Sequence, residues 1–123
     1  MHQWPWYPGT GAASELGAGN LWNIPLPAGL PPERYVESLL AGVDAATTGF
    51  VPDLVLISAG FDSLRGDPLG GFTLEMDHVS QLTRAMVQRA DSWCQGRIVS
   101  ALEGGYAPER LGEACMVHIE QLG

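Results

Sequence analysis

One apolar run that ends in a single carboxylate constrains the fold of this chain more than any other feature. The run extends from Leu54 to Ser58, behind a Pro-Asp turn, and continues as Ala-Gly-Phe into Asp62. An apolar run of this length, without alternation of polar residues, is typical of a strand that helices cover on both faces of a parallel sheet. Such sheets place their chemistry at the carboxyl ends of the strands. The sequence therefore predicts an α/β fold with Asp62 at a candidate site.

A second strand is predicted from Arg97 to Leu102, and it also ends in a loop that contains reactive groups, Glu-Gly-Gly-Tyr106. Between the two strands, apolar residues at helical spacing predict a long helix over about 74–95, with Thr73 as its cap. A right-handed strand, helix and strand unit brings the two loops to the same edge of the sheet. Asp62 and Tyr106 are therefore expected to face one site.

Two further helices complete the predicted architecture, which is a single domain over residues 1–123 with a small, mainly parallel sheet flanked by helices. The first begins at Pro32 and covers about 32–46, and the last begins at Pro108 and covers about 108–121, because proline is favoured in the first turn of a helix. His118 lies within the apolar stripe of the last helix. We interpret it as a core histidine with a hydrogen-bond partner, in preference to a metal ligand.

Prolines, aromatic residues and glycines dominate residues 1–20, which predicts a structured loop that contains no regular helix. Two explanations of its aromatic rings stay open. The rings pin the loop by packing, or they form a wall that contacts a ligand.

The charge of the chain is −8, from 14 acidic residues and six arginines without any lysine. This balance disfavours nucleic acid and anionic membranes as partners, and it is compatible with a cationic ligand, although solubility alone explains it. The two cysteines, Cys94 and Cys115, have no CxxC spacing and are expected to be buried thiols. Because no signal peptide or membrane span is recognisable, we expect a cytoplasmic location.

Five motifs, in this order and spacing, resemble the zinc-dependent histone deacetylases and their relatives, the acetylpolyamine amidohydrolases and acetoin-utilisation proteins of the arginase/deacetylase fold. They are Pro-Gly-Thr-Gly at 8–11, Asn-Ile-Pro-Leu at 23–26, the segment 52–62 ending in Ser-Ala-Gly-Phe-Asp, Asp-Pro-Leu-Gly at 67–70 and Glu-Gly-Gly-Tyr at 103–106. The resemblance covers nearly the whole chain. It corresponds to the C-terminal part of the family's catalytic domain and implies a partial arginase/deacetylase-like fold.

The resemblance also implies roles for individual residues. Asp62 matches one of three protein ligands of the catalytic zinc, and Tyr106 matches the tyrosine that donates a hydrogen bond to the substrate carbonyl as it becomes an oxyanion. Tyr7 and Leu69 match residues that line the tunnel for the acylated side chain. Loop support is expected from four further residues, Gly60, Asp67, Gly104 and Gly105. From the residues alone, Asp62 would be an ordinary loop aspartate and Tyr106 a packed tyrosine.

Two motifs of the family are absent from the sequence: the Asp-x-His that carries the other zinc ligands and the His-His pair of the general base. Neither His2 nor His78 has a recognisable ligand spacing. A catalytic zinc site generally needs three protein ligands. Zinc is therefore possible by resemblance, and we expect it to be absent or weakly bound in the isolated chain.

Two functions follow. The first is a shortened deacetylase-like protein without independent activity, which acts as an assembly or binding module; Met1 and the complete last helix favour a natural start and stop. The second is a zinc-dependent amidohydrolase for acetyl-lysine or acetylpolyamine, whose missing residues come from a complementing chain. Because a partial sheet leaves bare edges and four tryptophans with little cover, we also expect a homo-oligomer.

Overall fold

The computed structural model describes all residues, 1–123, as a small α/β fold. Its elements in chain order are β1 (His2–Gln3), β2 (Pro25–Leu26), α1 (Pro32–Ala46), β3 (Val55–Ala59), α2 (Met76–Cys94), β4 (Ile98–Leu102) and α3 (Pro108–Leu122). None of the three helices combines the length and the apolar character that crossing a membrane requires.

The centre of the fold is the parallel pair of β3 and β4, joined by α2. The two strands pair in parallel, as predicted, with Val55 opposite Ile98 and Ala59 opposite Leu102. β4 starts one residue later than expected, because the Arg97 amide still donates a hydrogen bond to the Cys94 carbonyl at the end of α2. A second, two-residue parallel pair joins β1 and β2. β1 was not predicted, since two residues carry no periodicity.

The predicted bounds of α1 agree with the structure. Helix α2 begins at Met76 with Glu75 as its cap, instead of at about 74 with Thr73 as its cap. Leu74 explains the difference. Its amide donates to the Ser63 carbonyl and its carbonyl accepts from the Arg65 amide, so this residue bridges to the loop after β3 and cannot start a helix.

The core lies between one face of the β3–β4 sheet and helices α2 and α3. Its largest cluster contains Ala59, Phe61, Leu64, Leu74, Val79 and Ala114. His118 is buried beside this cluster and contacts hydroxyl groups of Thr83 and Ser100, which confirms its interpretation as a core histidine. Cys94 is a buried free thiol, and Cys115 is free but only partly buried.

The other face of the sheet is open. Leu56 is 71% exposed and its cross-strand neighbour Val99 is 55% exposed. The expectation that both faces are buried is therefore wrong for this chain, because its helices pack on only one of them.

Candidate functional site

A cavity of ≈ 540 Å³ opens at the carboxyl ends of β3 and β4. Its walls come from the N-terminal segment, α1, the loop after β3 and the loop after β4. Four residues singled out from the sequence line it together: Tyr7, Asp62, Leu69 and Tyr106. The structure thus brings the predicted site residues to one place, although the roles implied for them stay predictions.

The loop after β4 lies directly against the loop after β3. The Phe61 amide donates to the Gly104 carbonyl over 2.9 Å, and the Glu103 amide donates to the Ala59 carbonyl over 3.1 Å. Phe61 itself is buried in the core, so Asp62 leaves the core at a fixed point. The extension of strand pairing into the loops therefore sets where Asp62 stands.

Glycine is required at two of the expected loop-supporting positions. A Cβ atom at Gly104 would lie 2.6 Å from Asp62 Oδ2, and Gly105 has a φ of +129°, which other residues rarely adopt. Gly60 has more room, because its Cβ would make only an ordinary contact, 3.4 Å from Asp62 Oδ1. Gly70, which was not singled out for this reason, is also needed, since a Cβ there would overlap the Asp62 carbonyl oxygen.

Asp62 is a half-buried carboxyl group whose pKa is raised above its usual value. Burial is the main cause, the negative charge of Asp67 adds to it, and a hydrogen bond from the backbone of Asp62 opposes it. A carboxylate in this setting is stabilised by any positive charge placed against it. The electrostatics of the site therefore favour a cation beside Asp62.

Tyr106 is half exposed and follows β4 in irregular backbone. Its amide donates to Asp67 Oδ2 over 2.7 Å. A phenol that lines the same cavity as a carboxylate is suited to donate a hydrogen bond to an oxygen that becomes negatively charged.

Tyr35 was missed as a site residue. It lies on α1, lines the cavity beside Asp62 and stacks edge-on against Phe72, with ring centroids 4.9 Å apart. Burial raises its pKa, a hydrogen bond with the Ser63 side chain opposes the shift, and the charge of Asp62 adds to it. No signal in the sequence separates Tyr35 from the apolar stripe of its helix.

The N-terminal loop is held by polar contacts, and two of its aromatic rings are exposed. The Asn23 side chain donates to the carbonyls of Ala12 and Glu15, and His2 Nε2 hydrogen bonds to the Gly11 carbonyl over 2.9 Å. Trp6 and Tyr7 are 56% and 92% exposed and line the cavity. Packing of these two rings therefore does not pin the loop.

The donor set does not fit a complete zinc site. No group of three or more histidine, cysteine, aspartate or glutamate side chains is arranged to hold a metal ion. His2 is bonded to Gly11, and His78 Nδ1 accepts a hydrogen bond from the Glu75 amide at the start of α2. Asp62 is thus a single potential ligand.

Comparison with known proteins gives a consistent result. The profile of the histone deacetylase domain matches residues 1–122. A probable deacetylase of Archaeoglobus fulgidus is 38% identical over 112 residues, which are 88% of this chain and 31% of that protein. Human histone deacetylase 9 is 40% identical over 111 residues, 81% of this chain and 10% of that protein.

Solved structures agree. The crystal structure of the HDA15 HD domain superposes with a TM-score of 0.83 at 35% identity, over 96% of this chain and 34% of that chain. The histone deacetylase Clr3 gives a TM-score of 0.82 at 30% identity, over 95% of this chain and 20% of that chain. The chain therefore spans about a third or less of the proteins it resembles.

Proposed function

Because the chain belongs to the histone deacetylase family, we propose that it forms one part of a zinc-dependent deacetylase site and has no catalytic activity by itself. Asp62 would serve as one metal ligand and Tyr106 as the donor to the substrate carbonyl oxygen. The observation that carries the proposal is that both line one cavity, while the chain offers no set of three ligands around it.

The walls of the cavity suit an acylated side chain with an apolar stem, such as acetyl-lysine or an acetylpolyamine. Leu69 and Tyr7 offer exposed apolar surface at the cavity, where methylene groups gain by burial. The hydroxyl group of Tyr106 would then donate a hydrogen bond to the carbonyl oxygen as it gains negative charge. The acidic balance of the chain, −8, favours substrates that carry a positive charge elsewhere.

The complementing residues have an obvious docking place along the unpaired edge of β3. In the parallel ladder the Val55 amide bonds to the Arg97 carbonyl, and alternate residues of a strand direct their backbone groups to opposite sides. The backbone groups of Leu56 and Ser58 therefore point away from β4. A groove of ≈ 440 Å³ is lined by residues of β3, α1 and α2, and Asp62 is one of its lining residues.

The proposed occupant of this groove is an extended segment of a deacetylase domain. It comes from the two thirds of that domain that have no counterpart in this chain. The lengths of the matched relatives support this occupant, because the chain covers 31% of the archaeal protein and 34% of the HDA15 domain. A strand added to β3 would pair with the outward backbone groups of Leu56 and would lead toward the cavity at Asp62.

Complementation tests the proposal directly. The chain is mixed with the part of the Archaeoglobus fulgidus relative that lies outside the match, and bound zinc and hydrolysis of an acetyl-lysine reporter are measured. We expect zinc and activity only in the mixture. Asp62→Ala should remove both, whereas Tyr106→Phe should keep the zinc and lower kcat by roughly 100-fold, as loss of an oxyanion donor does.

Asp53→Ala is the matched control, since this carboxylate is exposed at the opposite end of β3 and should change neither zinc content nor rate. Stoichiometric zinc and activity in the chain alone would contradict the proposal, and so would mixtures that form a complex without gaining either.

A second candidate function, an assembly module that associates with itself, is favoured by the open sheet face with Leu56 and Val99. It needs no metal and no substrate, and a homo-oligomer is its expected form. A cytoplasmic location and the lack of nucleic-acid partners stay predictions from composition.

A further inference from the structure

Asp67 is a buried aspartate whose carboxylate forms hydrogen bonds with two different loops. Only 7% of the residue is exposed, and its two oxygens accept three backbone hydrogen bonds. Oδ1 accepts from the amides of Leu69 over 2.8 Å and Gly70 over 3.1 Å, and Oδ2 accepts from the Tyr106 amide over 2.7 Å. One side chain thus accepts hydrogen bonds from the backbone of two loops.

The first two bonds are those of an ordinary turn, in which an aspartate caps its own following residues. The third bond is different, because it reaches a residue 39 positions further along the chain, in the loop after β4. A turn alone would not require it, and an isolated turn aspartate would leave Oδ2 to solvent.

Only a carboxylate can accept hydrogen bonds from both loops in this way, since both of its oxygens are acceptors. Asparagine has nearly the same size and one acceptor. If its oxygen keeps the amides of Leu69 and Gly70, its NH₂ group faces the Tyr106 amide, and two donors then oppose each other.

We propose that Asp67 is a positioning residue that couples the loop after β3 to the loop after β4 and so fixes Leu69 and Tyr106 relative to each other at the cavity. Both of these side chains are about half exposed, so their own packing does little to hold them. Their separation is set through the backbone by Asp67. The consequence for catalysis rests on the function proposed above, whereas the coupling itself does not.

The coupling is tested by amide hydrogen exchange, followed by NMR, on the ¹⁵N-labelled chain and its Asp67→Asn variant. We expect the Tyr106 amide to exchange about tenfold faster in the variant, because a hydrogen bond to a charged group is lost. The amides of Leu69 and Gly70 should change by less than about threefold, since their acceptor remains. Asp53→Asn, an exposed change of the same chemistry, should leave all three rates unaltered.

An unchanged Tyr106 rate in Asp67→Asn would overturn the proposal, and so would equal changes at Tyr106, Leu69 and Gly70, which would indicate loss of the turn alone. If the variant does not fold, amide exchange of the wild-type chain still tests the proposed coupling. Its Tyr106 amide must be protected although it lies outside every helix and strand, and free exchange there would refute the coupling.

Once a complementing segment yields activity, Asp67→Asn should lower kcat about tenfold with the zinc content unchanged, as expected when a transition-state donor is displaced. Amide exchange needs no metal and no substrate. The coupling can therefore be confirmed even when complementation fails. Failure of the proposed function and failure of the coupling are thus distinguishable.

Discussion

At the scale of single residues, Asp62 is a carboxyl group whose position lowers the stability of the fold. Burial and the charge of Asp67 raise its pKa, so ionisation is less favourable in the folded chain than in the unfolded one. The folded state consequently binds a proton more tightly, and the ionised Asp62 destabilises it above that raised pKa. Below the unfolded value of about 3.9 the group is neutral in both states and its effect disappears.

Asp62→Asn should therefore stabilise the isolated chain at neutral pH. We expect Tm at pH 7 to rise by roughly 1–4 °C, a small value because the carboxyl group is only half buried and solvent screens it. The gain should shrink as the pH falls toward about 3.9. Thermal unfolding followed by circular dichroism measures this, with Asp53→Asn as the exposed control. A lower Tm of the variant at pH 7 would show that Asp62 is held by favourable contacts in the isolated chain.

The sequence predicts some residues of the candidate site and misses others. The convergence of Asp62 and Tyr106 follows from two parallel strands whose carboxyl ends share an edge, a rule that needs only the order of the elements. Tyr35 escapes prediction because helical periodicity assigns it to the core. The bond from Tyr106 to Asp67 escapes because it depends on the path of two loops that no periodicity describes.

At the scale of elements, a buried hydrogen-bond chain connects α2, α3 and β4. Thr83 Oγ1 donates to the Val79 carbonyl over 2.9 Å and contacts His118 Nδ1 over 2.7 Å, and Ser100 contacts His118 Nε2 over 2.8 Å. Burial lowers the pKa of His118, which keeps the imidazole neutral. A neutral ring with one donor and one acceptor nitrogen matches these two hydroxyl groups.

Thr83→Val, which keeps the shape of the side chain and removes its hydroxyl group, should destabilise the chain. His118 Nδ1 is then buried without a partner, and we expect the free energy of unfolding to fall by about 1–3 kcal/mol. Urea unfolding at pH 7.5 measures the change. Ser92→Ala on the exposed part of α2 also removes a hydroxyl group bonded to its own helix, and it should have little effect. Equal losses in the two variants would contradict a special role for the buried chain.

Element bounds were predictable wherever local chemistry fixes them. Proline starts α1 and α3 at the predicted residues, because its ring suits the first turn of a helix. The start of α2 was not predictable, because Leu74 is held by the loop after β3, a tertiary contact that overrides the local preference for a cap at Thr73.

At the scale of the whole molecule, the fold has apolar surface where proteins normally have a neighbour. A parallel sheet is usually covered on both faces and paired along most of its strands. Here β3 and β4 pair only with each other, and their outer face exposes Leu56 and Val99. Self-association and complementation are two ways to cover this surface.

The double variant Leu56→Lys and Val99→Lys should prevent self-association of the isolated chain, because two adjacent charges on the outer face oppose stacking of copies. Light scattering coupled to gel filtration should show an oligomer for the wild type and a monomer for the variant.

The pair Gln81→Lys and Gln88→Lys changes the net charge equally on the exposed side of α2 and should leave the oligomer intact. A wild-type chain that is monomeric at every concentration tested would contradict the expectation.

The parallel pairing of β3 and β4 also determines which parts of the chain must be present before the cavity can form. Two parallel strands cannot be joined by a hairpin, so the segment that contains α2 must cross over the sheet for Val55 to pair with Ile98. The loops that carry Asp62 and Tyr106 close only after that crossing. A chain that stops before Leu102 lacks the end of β4 and the loop with Tyr106, so the cavity that Asp62 and Tyr106 line together depends on the last fifth of the sequence.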